Sequence, residues 1–477
     1  MSADFGAPPP LSTSFIELWS RARLRANQSN RRSTATTSPL MRALLFAAGV
    51  GNKEGVGVRC RATPSAGALY PFNTVGFLPC ERAHAGFLVD CKSGGLRALG
   101  TLVSISSLRT VLSSCAAQEL DEKTILLIVA VRPWASMVKY GARGYFYSLL
   151  DAGHAVANLA LLLSRDNRSI TVDCHFNRVA MRSLLGLEAW CQDPVAVVLV
   201  NGETDFPELA GTISAVPDSE EVGFWARLAR DGLVGVSYAA AKLAPGCGIG
   251  LPGVPSCRGV STGLNEEVPL FAYASWRHSA SGFMEIPVPL ETIARVIGRA
   301  KINVHQTWGD HPLELTVRLV RREGSDGYSF YDVIDGELKH VATEPTAPEA
   351  MLDWGHACMH QSFVQRASVL VVVYCRALDW STTEAASELC HLHLRAGYWM
   401  QGLYLAAAAS GVGITALGGF DAELCRAIAR LNPTADVIYV SALGFEDPLA
   451  VKADRSNVAE SHGFTRRFTG IGAGTIP

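Results

Sequence analysis

The sequence predicts an α+β fold of two tandem modules, each a mainly antiparallel sheet packed by helices, fused as a pseudo-dimer. The first observation is a repeat, because the pattern of residues 152–161 returns at 396–405, 244 positions later. The second is that apolar strands and a buried helix recur around each copy of this pattern. Because joining the subunits of a symmetric dimer gives such a chain, we expect its site to lie between the halves.

Three further landmarks repeat in the same order with little drift. Residues 31–33 (Arg-Arg-Ser) correspond to 277–279 (Arg-His-Ser), an offset of 246, and the segment from Pro71 corresponds to that from Pro312, an offset of 241. The apolar run that ends in Gly202 corresponds to the run that ends in Gly444, an offset of 242. Four ordered correspondences indicate one module written twice.

The chain divides into four segments on this basis. Residues 1–30 form an N-terminal arm, 31–243 module one, 244–268 a Gly/Pro-rich linker and 269–477 module two. The arm has a basic patch at Arg21, Arg23 and Arg25, and we interpret it as a mobile arm, with an organellar transit peptide as the alternative. Asp4 and Glu17 weigh against the transit peptide.

Each module contains strand-like and helical segments in a similar order. In module one, the strands are predicted at 74–78, 125–131 and 195–200, with a helix buried nearly all round at 149–163 and helical connections within 203–232. In module two, the strands are predicted at 313–320, 329–334 and 369–374, with a buried helix at 394–410. The small apolar run at 403–419 is interpreted as an interface helix and its C-cap rather than a membrane span.

Composition narrows the function classes. Of the 477 residues, 48% are hydrophobic and 18% charged, which is typical of a well-packed globular protein of two or three domains. The net charge is −2 without a basic stripe, so no nucleic-acid partner is expected. The 12 cysteines are scattered, with no Cys-x-x-Cys pair, which favours reduced thiols and a cytoplasmic location. The His and Cys clusters at 356–360 and 390–393 lack the usual zinc spacing, and no metal site is predicted.

Four motifs carry candidate chemistry. Pro64, Ser65, Ala66 and Gly67 form a small-residue loop that lets backbone and a hydroxyl approach a flat ring, although a plain turn has the same composition. The Arg-x-Ser pair at 31–33 and 277–279 suits a phosphate or ring carbonyls, because guanidinium presents a fixed fork of donors. A glycine-rich segment follows the second buried helix at 411–419, where a glycine helix stop is the alternative.

Lys139 and Tyr140 complete the set, at a fixed distance before the helix start Asp151-Ala152-Gly153-His154. A lysine amine can act as a base or donate to a developing anion, whereas a surface lysine beside a core tyrosine is the alternative. The string Pro64 to Pro71, the Lys-Tyr pair and this helix start, in order, resemble the nitroreductase-like flavoproteins, specifically the SagB-type dehydrogenases that include azoline oxidases. The resemblance covers residues 31–202 and, more weakly, 276–445.

This resemblance implies FMN, an α+β sandwich and sites built across a dimer interface. Carried onto this chain, it implies catalytic roles for Lys139 and Tyr140. The residues implied to bind the cofactor are Pro64, Ser65, Ala66, Gly67, Arg277, His278, Ser279, Gly411, Gly413, Leu417, Gly418, Gly419 and Arg466.

The two modules keep different parts of the implied site. Module one has the small-residue loop and the Lys-Tyr pair, but residues 165–173 stand where its glycine segment would be. Module two has the glycine segment and Arg-x-Ser, but residues 308–312 replace the small-residue loop and Thr383-Glu384 replace Lys-Tyr. Random decay would have damaged both sites, so the complementary loss predicts one FMN per chain, with the second site closed or occupied by side chains.

The leading hypothesis is an FMN-dependent oxidoreductase of the SagB type that oxidises azoline rings to azoles in a peptide or peptide-like natural product. One alternative is a nitro-, quinone- or ene-reductase that uses a nicotinamide donor, and another is a flavin-free scaffold that keeps only the duplicated fold. The expected partners are a small-molecule or peptide substrate and other enzymes of a biosynthetic complex, with no nucleic acid and no membrane.

Overall fold

Two antiparallel sheets with the same strand order dominate the computed structural model of the chain. The structure describes residues 39–47, 53–55, 58–60, 62–80, 83–90, 95–164, 168–187, 192–202, 210–212, 274, 277–300, 315–323, 327–344, 353–376 and 383–450. All of them fall within one unit, Ser38–Pro477. The predictions for residues 1–33, 244–268, 308–312 and Arg466 lie outside the described residues.

The first sheet belongs to module one and the second to module two. Within the first module the strands are β1 (Lys53–Gly55), β2 (Val58–Cys60), β3 (Phe72–Cys80), β4 (Ala83–Asp90), β5 (Gly95–Val103), β6 (Ile125–Val131), β7 (Ser169–Asp173), β8 (Asp193–Asn201) and β9 (Ala210–Thr212). Those of the second module are β10 (Thr316–Arg322), β11 (Tyr328–Ile334), β12 (Glu337–Glu344), β13 (Val369–Arg376), β14 (Gly413–Leu417) and β15 (Ala435–Gly444).

The helices of the described residues lie between and beside these strands. They are α1 (Pro39–Ala47), α2 (Ile105–Val111), α3 (Ser114–Glu119), α4 (Pro133–Tyr140), α5 (Arg143–Leu163), α6 (Arg178–Leu185), α7 (Leu290–Arg299), α8 (Trp354–Ala357), α9 (Thr383–Ala409) and α10 (Ala422–Ile428). Single 3-10 turns occur at Ala66–Ala68 and Ser362–Arg366.

The two sheets have corresponding topologies. The first sheet has the order β7-β8-β6-β3-β4-β5-β9 and the second β14-β15-β13-β10-β11-β12. Apart from the short parallel strand β9, every neighbour within these two sheets is antiparallel, and strand by strand the orders coincide. The predicted duplication of one α+β module is therefore confirmed at the level of the fold.

Sequence pattern explains why the central strands are buried. All seven residues of β6 are buried, which fits its unbroken apolar run, because a strand covered on both faces has no need for alternation. Leu126 and Ile128 pack with α2, α3 and α6 in one core cluster, while α5 contacts β6 and β8. In the second module, Leu370 and Val372 of β13 pack in the same way with α8 and α10.

The helices α5 and α9 cross each other between the sheets, and their closest approach is at two glycines. A β-carbon on Gly153 would overlap the carbonyl oxygen of Leu394, and one on Gly397 would overlap that of Leu150. Both pairs, 150 with 394 and 153 with 397, are separated by 244 positions, so the crossing lies on the internal repeat. Helix α5 is long and apolar enough to cross a membrane, but 94% of its apolar window is buried inside the protein.

Two sequence predictions differ from the structure. Residues 203–232 were expected to form helical connections, but the described part, Ala210–Thr212, is a strand beside β5, because the edge of that sheet offers free backbone partners. Residues 411–419 were expected to form a glycine loop, yet Gly413–Leu417 pairs with β15 as strand β14. The strands predicted at 125–131, 195–200, 329–334 and 369–374 are confirmed.

Candidate functional site

The small-residue loop of module one has a strained backbone. Gly67 has φ 59°, and the non-glycine residues Ala68 and Tyr70 have φ 54° and 48°. Positive φ values at non-glycine residues cost free energy and persist where the surroundings impose them. A β-carbon on Gly67 would overlap the Tyr140 hydroxyl oxygen and lie 3.0 Å from Lys139 Nζ. The backbone therefore favours glycine at this position, and the absence of a side chain leaves room for the Lys-Tyr pair.

Asp151 of α5 holds this loop. Its carboxylate accepts hydrogen bonds from the Ser65 hydroxyl and, at 3.2 Å, from the Ala66 amide, while the Tyr70 amide donates to Ser65 Oγ at 2.8 Å. Asp151 is 2% exposed, and burial raises its pKa to about 7, against the effect of the hydrogen bonds from Ser65 and Ala66. The motif Asp151 to His154 was expected at a helix start, but it lies in the middle of α5, which begins at Arg143. Its link to Ser65 is visible only in the structure.

Lys139 and Tyr140 form the last turn of α4. Pro133 begins this helix, as favoured by its fixed φ, and Gly141 ends it with φ 60°. Lys139 Nζ lies 5.3 Å from the centre of the Tyr140 ring, and Tyr140 meets Tyr147 edge-on with ring centres 5.0 Å apart. The lysine side chain is exposed whereas the tyrosine is half-buried, so the pair extends from solvent to the loop.

Tyr147 and Arg143 of α5 connect this group to module two. The Tyr147 hydroxyl donates to the Gly418 carbonyl, and Arg143 Nη2 donates to the Phe420 carbonyl at 2.8 Å. A β-carbon on Gly418 would lie 3.4 Å from the Tyr147 ring and 3.6 Å from Ala66 Cβ. The small-residue loop of one module therefore meets the turn after strand β14 of the other, Gly418 and Gly419, which we call the Gly418 corner.

The Arg-His-Ser segment, residues 277–279, also lies where the two modules meet, which we call the junction. Arg277, 5% exposed, donates from Nε to the Ala62 carbonyl of module one at 2.6 Å, and its guanidinium carbon lies 5.2 Å from the Tyr404 ring centre. Ser279 Oγ is hydrogen-bonded to the Tyr404 hydroxyl at 2.9 Å. His278 Nε2 lies 2.6 Å from a carboxylate oxygen of Glu446.

The glycine segment of module two is divided by strand β14. Gly411, with φ 69°, and Gly413 lie at the start of this strand, whereas Gly418 and Gly419 follow its end. Leu417 is buried in the core of module two. Of the five predicted positions, Gly418 faces Ala66 and Gly419 faces Met359, whose Cγ would lie 3.3 Å from a β-carbon on Gly419. Only this end of the segment therefore joins the Ser65 loop.

A buried chain of hydrogen bonds runs behind the loop. His154 bonds from Nδ1 to Gln401 Oε1 at 3.0 Å and from Nε2 to the Tyr439 hydroxyl at 3.2 Å. Gln401 Nε2 donates to Asn158 at 2.7 Å, and Asn158 Nδ2 donates to Thr63 Oγ1 at 3.1 Å. Burial lowers the pKa of His154 to about 3, so the ring is neutral at pH 7. These contacts, separated by up to 285 positions, carry no local sequence signal.

The other side of the α5–α9 crossing has the same geometry but different chemistry. His391 lies 244 positions after Tyr147, and its Nε2 is 3.2 Å from the Cys174 carbonyl, as Tyr147 bonds to Gly418. Arg395 occupies the position equivalent to Asp151 and is 2% exposed. The rings of His175 and His391 are 4.8 Å apart. Within the described ranges, no three His, Cys, Asp or Glu side chains are placed to hold a metal ion.

Comparisons with known proteins agree with this architecture. Residues 274–445 match the model of the nitroreductase family. The solved structure of a putative nitroreductase from Anabaena variabilis is 17% identical, covers 89% of this chain and 91% of its own, and has a TM-score of 0.59. No curated protein matches the chain.

Two shorter structural matches cover less than half of this chain. The microcin synthetase McbBCD complex of E. coli, with truncated pro-MccB17 bound, is 17% identical over 43% of this chain and 77% of its own, with a TM-score of 0.30. A putative nitroreductase of Ralstonia eutropha is 18% identical over 41% and 88%, with a TM-score of 0.29. On the strength of the Anabaena structure, the chain has a nitroreductase-like fold in two modules, and its second module matches the nitroreductase family.

Proposed function

We propose that the chain is an FMN-dependent oxidoreductase of the SagB type that oxidises azoline rings to azoles in a peptide or peptide-like natural product. The observation that carries the proposal is the meeting of Gly67 with Lys139 and Tyr140 on one module, beside Gly418 of the other. The expected composite site requires this combination of the small-residue loop, the Lys139-Tyr140 pair as the proton-exchanging groups, and the Gly418 corner of the other module.

The residues at the junction fit a flavin. Arg277 supplies a buried cation, whose fork of donors suits phosphate or ring carbonyls. Ser65, Gly67 and Gly418 leave backbone close to the junction, where bulkier side chains would collide with Tyr140 or press on Tyr147. FMN would be held by Arg277, Ser279, the Ser65 loop and the Gly418 corner. When bound, it would act as the hydride acceptor. Pro64, Gly411, Gly413, Leu417 and Arg466 stay predictions.

Lys139 and Tyr140 would handle the proton of this reaction. Converting an azoline to an azole removes two hydrogens, one as a hydride and one as a proton from the neighbouring carbon. Both side chains reach Gly67 of the loop, and the lysine side chain is exposed, so its amine can pass that proton to water. Tyr147 is committed to the Gly418 carbonyl, and burial raises its pKa, so it orients Tyr140 instead of exchanging protons.

We further propose one FMN per chain, because the mirrored junction differs in its described part. Where Asp151 receives the Ser65 loop, the equivalent position holds Arg395. His391, at the position equivalent to Tyr147, is in contact with His175. Arg395 and this histidine pair support the proposal that no second cofactor binds on that side of the crossing.

One observation favours a second candidate, a flavin-free scaffold. The Arg-His-Ser segment is the expected phosphate-facing signature, but His278 is paired with the Glu446 carboxylate at 2.6 Å. A carboxylate beside a phosphate is unfavourable because like charges repel. The association with other biosynthetic enzymes proposed from the sequence is compatible with either candidate.

The visible spectrum of the purified, FMN-reconstituted protein separates these candidates. We expect flavin bands at about one equivalent per chain. If the protein retained no flavin, the flavin-free scaffold would be the remaining candidate. On a thiazoline-containing peptide, Lys139→Ala and Tyr140→Phe should each lower kcat by about 100-fold, the usual contribution of a proton-transfer group. Lys123→Ala, on an exposed turn before β6, serves as the matched control. If the protein oxidised NAD(P)H rapidly with a quinone, and Lys139→Ala did so equally fast, azoline oxidation would be refuted in favour of a nicotinamide-dependent reductase.

A further inference from the structure

The two helices at the centre of the molecule have equivalent positions with opposite charge. Gly153 and Gly397 contact each other's helix in the same way, which fixes the equivalence of positions 151 and 395. Both side chains are 2% exposed, yet one is an aspartate and the other an arginine. Burying a charged side chain is costly unless its contacts compensate. The aspartate on this side of the crossing therefore needs an explanation in terms of what it contacts.

Asp151 contacts the Ser65 loop of its own module with both of its carboxylate oxygens. Oδ2 accepts from the Ser65 hydroxyl and Oδ1 from the Ala66 amide, and Ser65 Oγ accepts from the Tyr70 amide. These three bonds span the part of the loop in which Gly67, Ala68 and Tyr70 have positive φ. The carboxylate thus holds a backbone conformation that a free chain rarely adopts.

We propose that Asp151 is a positioning residue whose charged carboxylate holds the Ser65–Tyr70 segment against Tyr140 and Gly418, and so builds the site on one side of the crossing. Its consequence for catalysis rests on the proposed function, whereas its effect on the loop does not. In asparagine one of the two acceptor oxygens becomes an NH2 donor, so the bonds from Ser65 and Ala66, which reach different oxygens, cannot both be kept in place.

The surroundings of Asp151 make its charge adjustable near neutral pH. Tyr439 on β15 interacts with the charge of Asp151, and Tyr404 on α9 and Tyr147 also lie near Tyr439. His154, on the same helix as Asp151, lies near Arg277. Burial raises the pKa of Asp151 to about 7, while the hydrogen bonds from Ser65 and Ala66 lower it. Protonation removes an acceptor from the loop, so the loop is held most firmly above neutral pH.

Hydrogen exchange of the full-length protein, followed by mass spectrometry, tests the loop without any cofactor. In Asp151→Asn, we expect exchange in the peptide covering residues 62–72 to rise on the order of tenfold at pH 8, as for a lost hydrogen bond to a charged group. The matched control is Asp173→Asn, another buried aspartate with two amide donors, Ser113 and His175, each at 2.9 Å. Unchanged exchange in Asp151→Asn, or an equal rise in Asp173→Asn, would overturn the proposal.

Infrared difference spectroscopy gives a second readout that a purely structural role would not move. The carboxylic-acid band of Asp151 should titrate near pH 7 and be absent in Asp151→Asn. Ser65→Ala removes a hydrogen bond that favours the charged form, so the midpoint of this band should rise by about one pH unit. An unchanged midpoint in Ser65→Ala contradicts the proposal. Both readouts work without flavin, so a protein that binds no FMN would refute the proposed function alone.

Discussion

Gly153 and Gly397 pack backbone against backbone at the crossing of α5 and α9, each where a β-carbon would collide with the opposite helix. The nitrogen of Tyr398 would lie 2.8 Å from a β-carbon on Gly153. Such a close approach lets short links form across the modules, among them the bonds of Tyr147 to Gly418 and of His154 to Gln401. The position of the candidate site therefore depends on these two glycines.

Gly153→Ala should destabilise the protein strongly. Its methyl group meets backbone atoms that cannot rotate away, and overpacking of this kind costs at least about 1–3 kcal/mol of the free energy of unfolding. Gly298→Ala in helix α7 is the control, since its β-carbon would meet nothing closer than a carbonyl oxygen at 3.8 Å. That variant should be neutral or stabilised by up to about 1 kcal/mol. Urea unfolding measures both, and a wild-type midpoint for Gly153→Ala would contradict the packing.

Gly67→Ala should impair the site more than the fold. The new methyl overlaps the Tyr140 hydroxyl, and alanine is disfavoured at φ 59°. We expect weaker FMN binding by about tenfold or more, as for a change of roughly 1.4 kcal/mol, measured by titration of flavin fluorescence. The double variant with Tyr140→Phe removes the collision but not the backbone cost, so it should recover part of the affinity. No recovery would mean that the collision is not responsible.

His154 should contribute a loss of stability in acid. Its pKa is about 3 in the folded protein and near 6.5 when unfolded, so the unfolded chain binds more protons between these values. The contribution is complete above pH 6.5 and is lost as pH falls towards 3. His154→Gln should flatten the pH dependence of the free energy of unfolding between pH 4 and 6.5, measured by urea titration. The exposed His340→Gln is the control, and an equal slope in both variants would refute the assignment.

Asp151 should contribute the opposite slope. Its pKa rises from 3.8 in the unfolded chain to about 7 in the folded protein, so the folded state binds more protons in that window. The free energy of unfolding therefore falls as pH rises from about 4 to 7. In Asp151→Asn this fall should disappear, which the same urea series detects. A fall as large as in wild type would place the titration elsewhere.

Arg277→Met should lower flavin affinity by about 10- to 100-fold, since hydrogen bonds to charged groups contribute about 1.5–3 kcal/mol. The change also removes the bond to the Ala62 carbonyl, so some loss of stability is expected. The control Arg366→Ala breaks an exposed pair with Glu285 and should leave binding unchanged. Equilibrium dialysis of FMN distinguishes the two, and equal affinities would remove Arg277 from the site.

The sequence predicted the parts of the fold that have a local pattern. Residues 125–131 match β6 at both ends, and the helix expected at 149–163 is the C-terminal part of α5. Helix α9 begins at Thr383, eleven residues before the predicted start, because its first turns lack the continuous apolar pattern of 394–410. Strand β14 was missed because its glycines favour a loop, and only the pairing with β15 decides otherwise.

The candidate site could be predicted only in part, for a related reason. Motifs identified the Ser65 loop, Lys139 and Gly418, and the duplication predicted that they would meet. The bonds that connect them, Asp151 to Ser65 and Tyr147 to Gly418, span 86 and 271 positions. Such contacts depend on how the helices cross, which no local pattern encodes.

Because equivalent buried positions hold Asp151 in one module and Arg395 in the other, the two modules are not interchangeable. In a dimer of two copies of module one, Ser65 would face Cys174, the residue equivalent to Gly418, so such a dimer would contain no complete junction. Two copies of module two would bury a pair of arginines and offer no Lys139. Each module therefore needs the other to complete the junction.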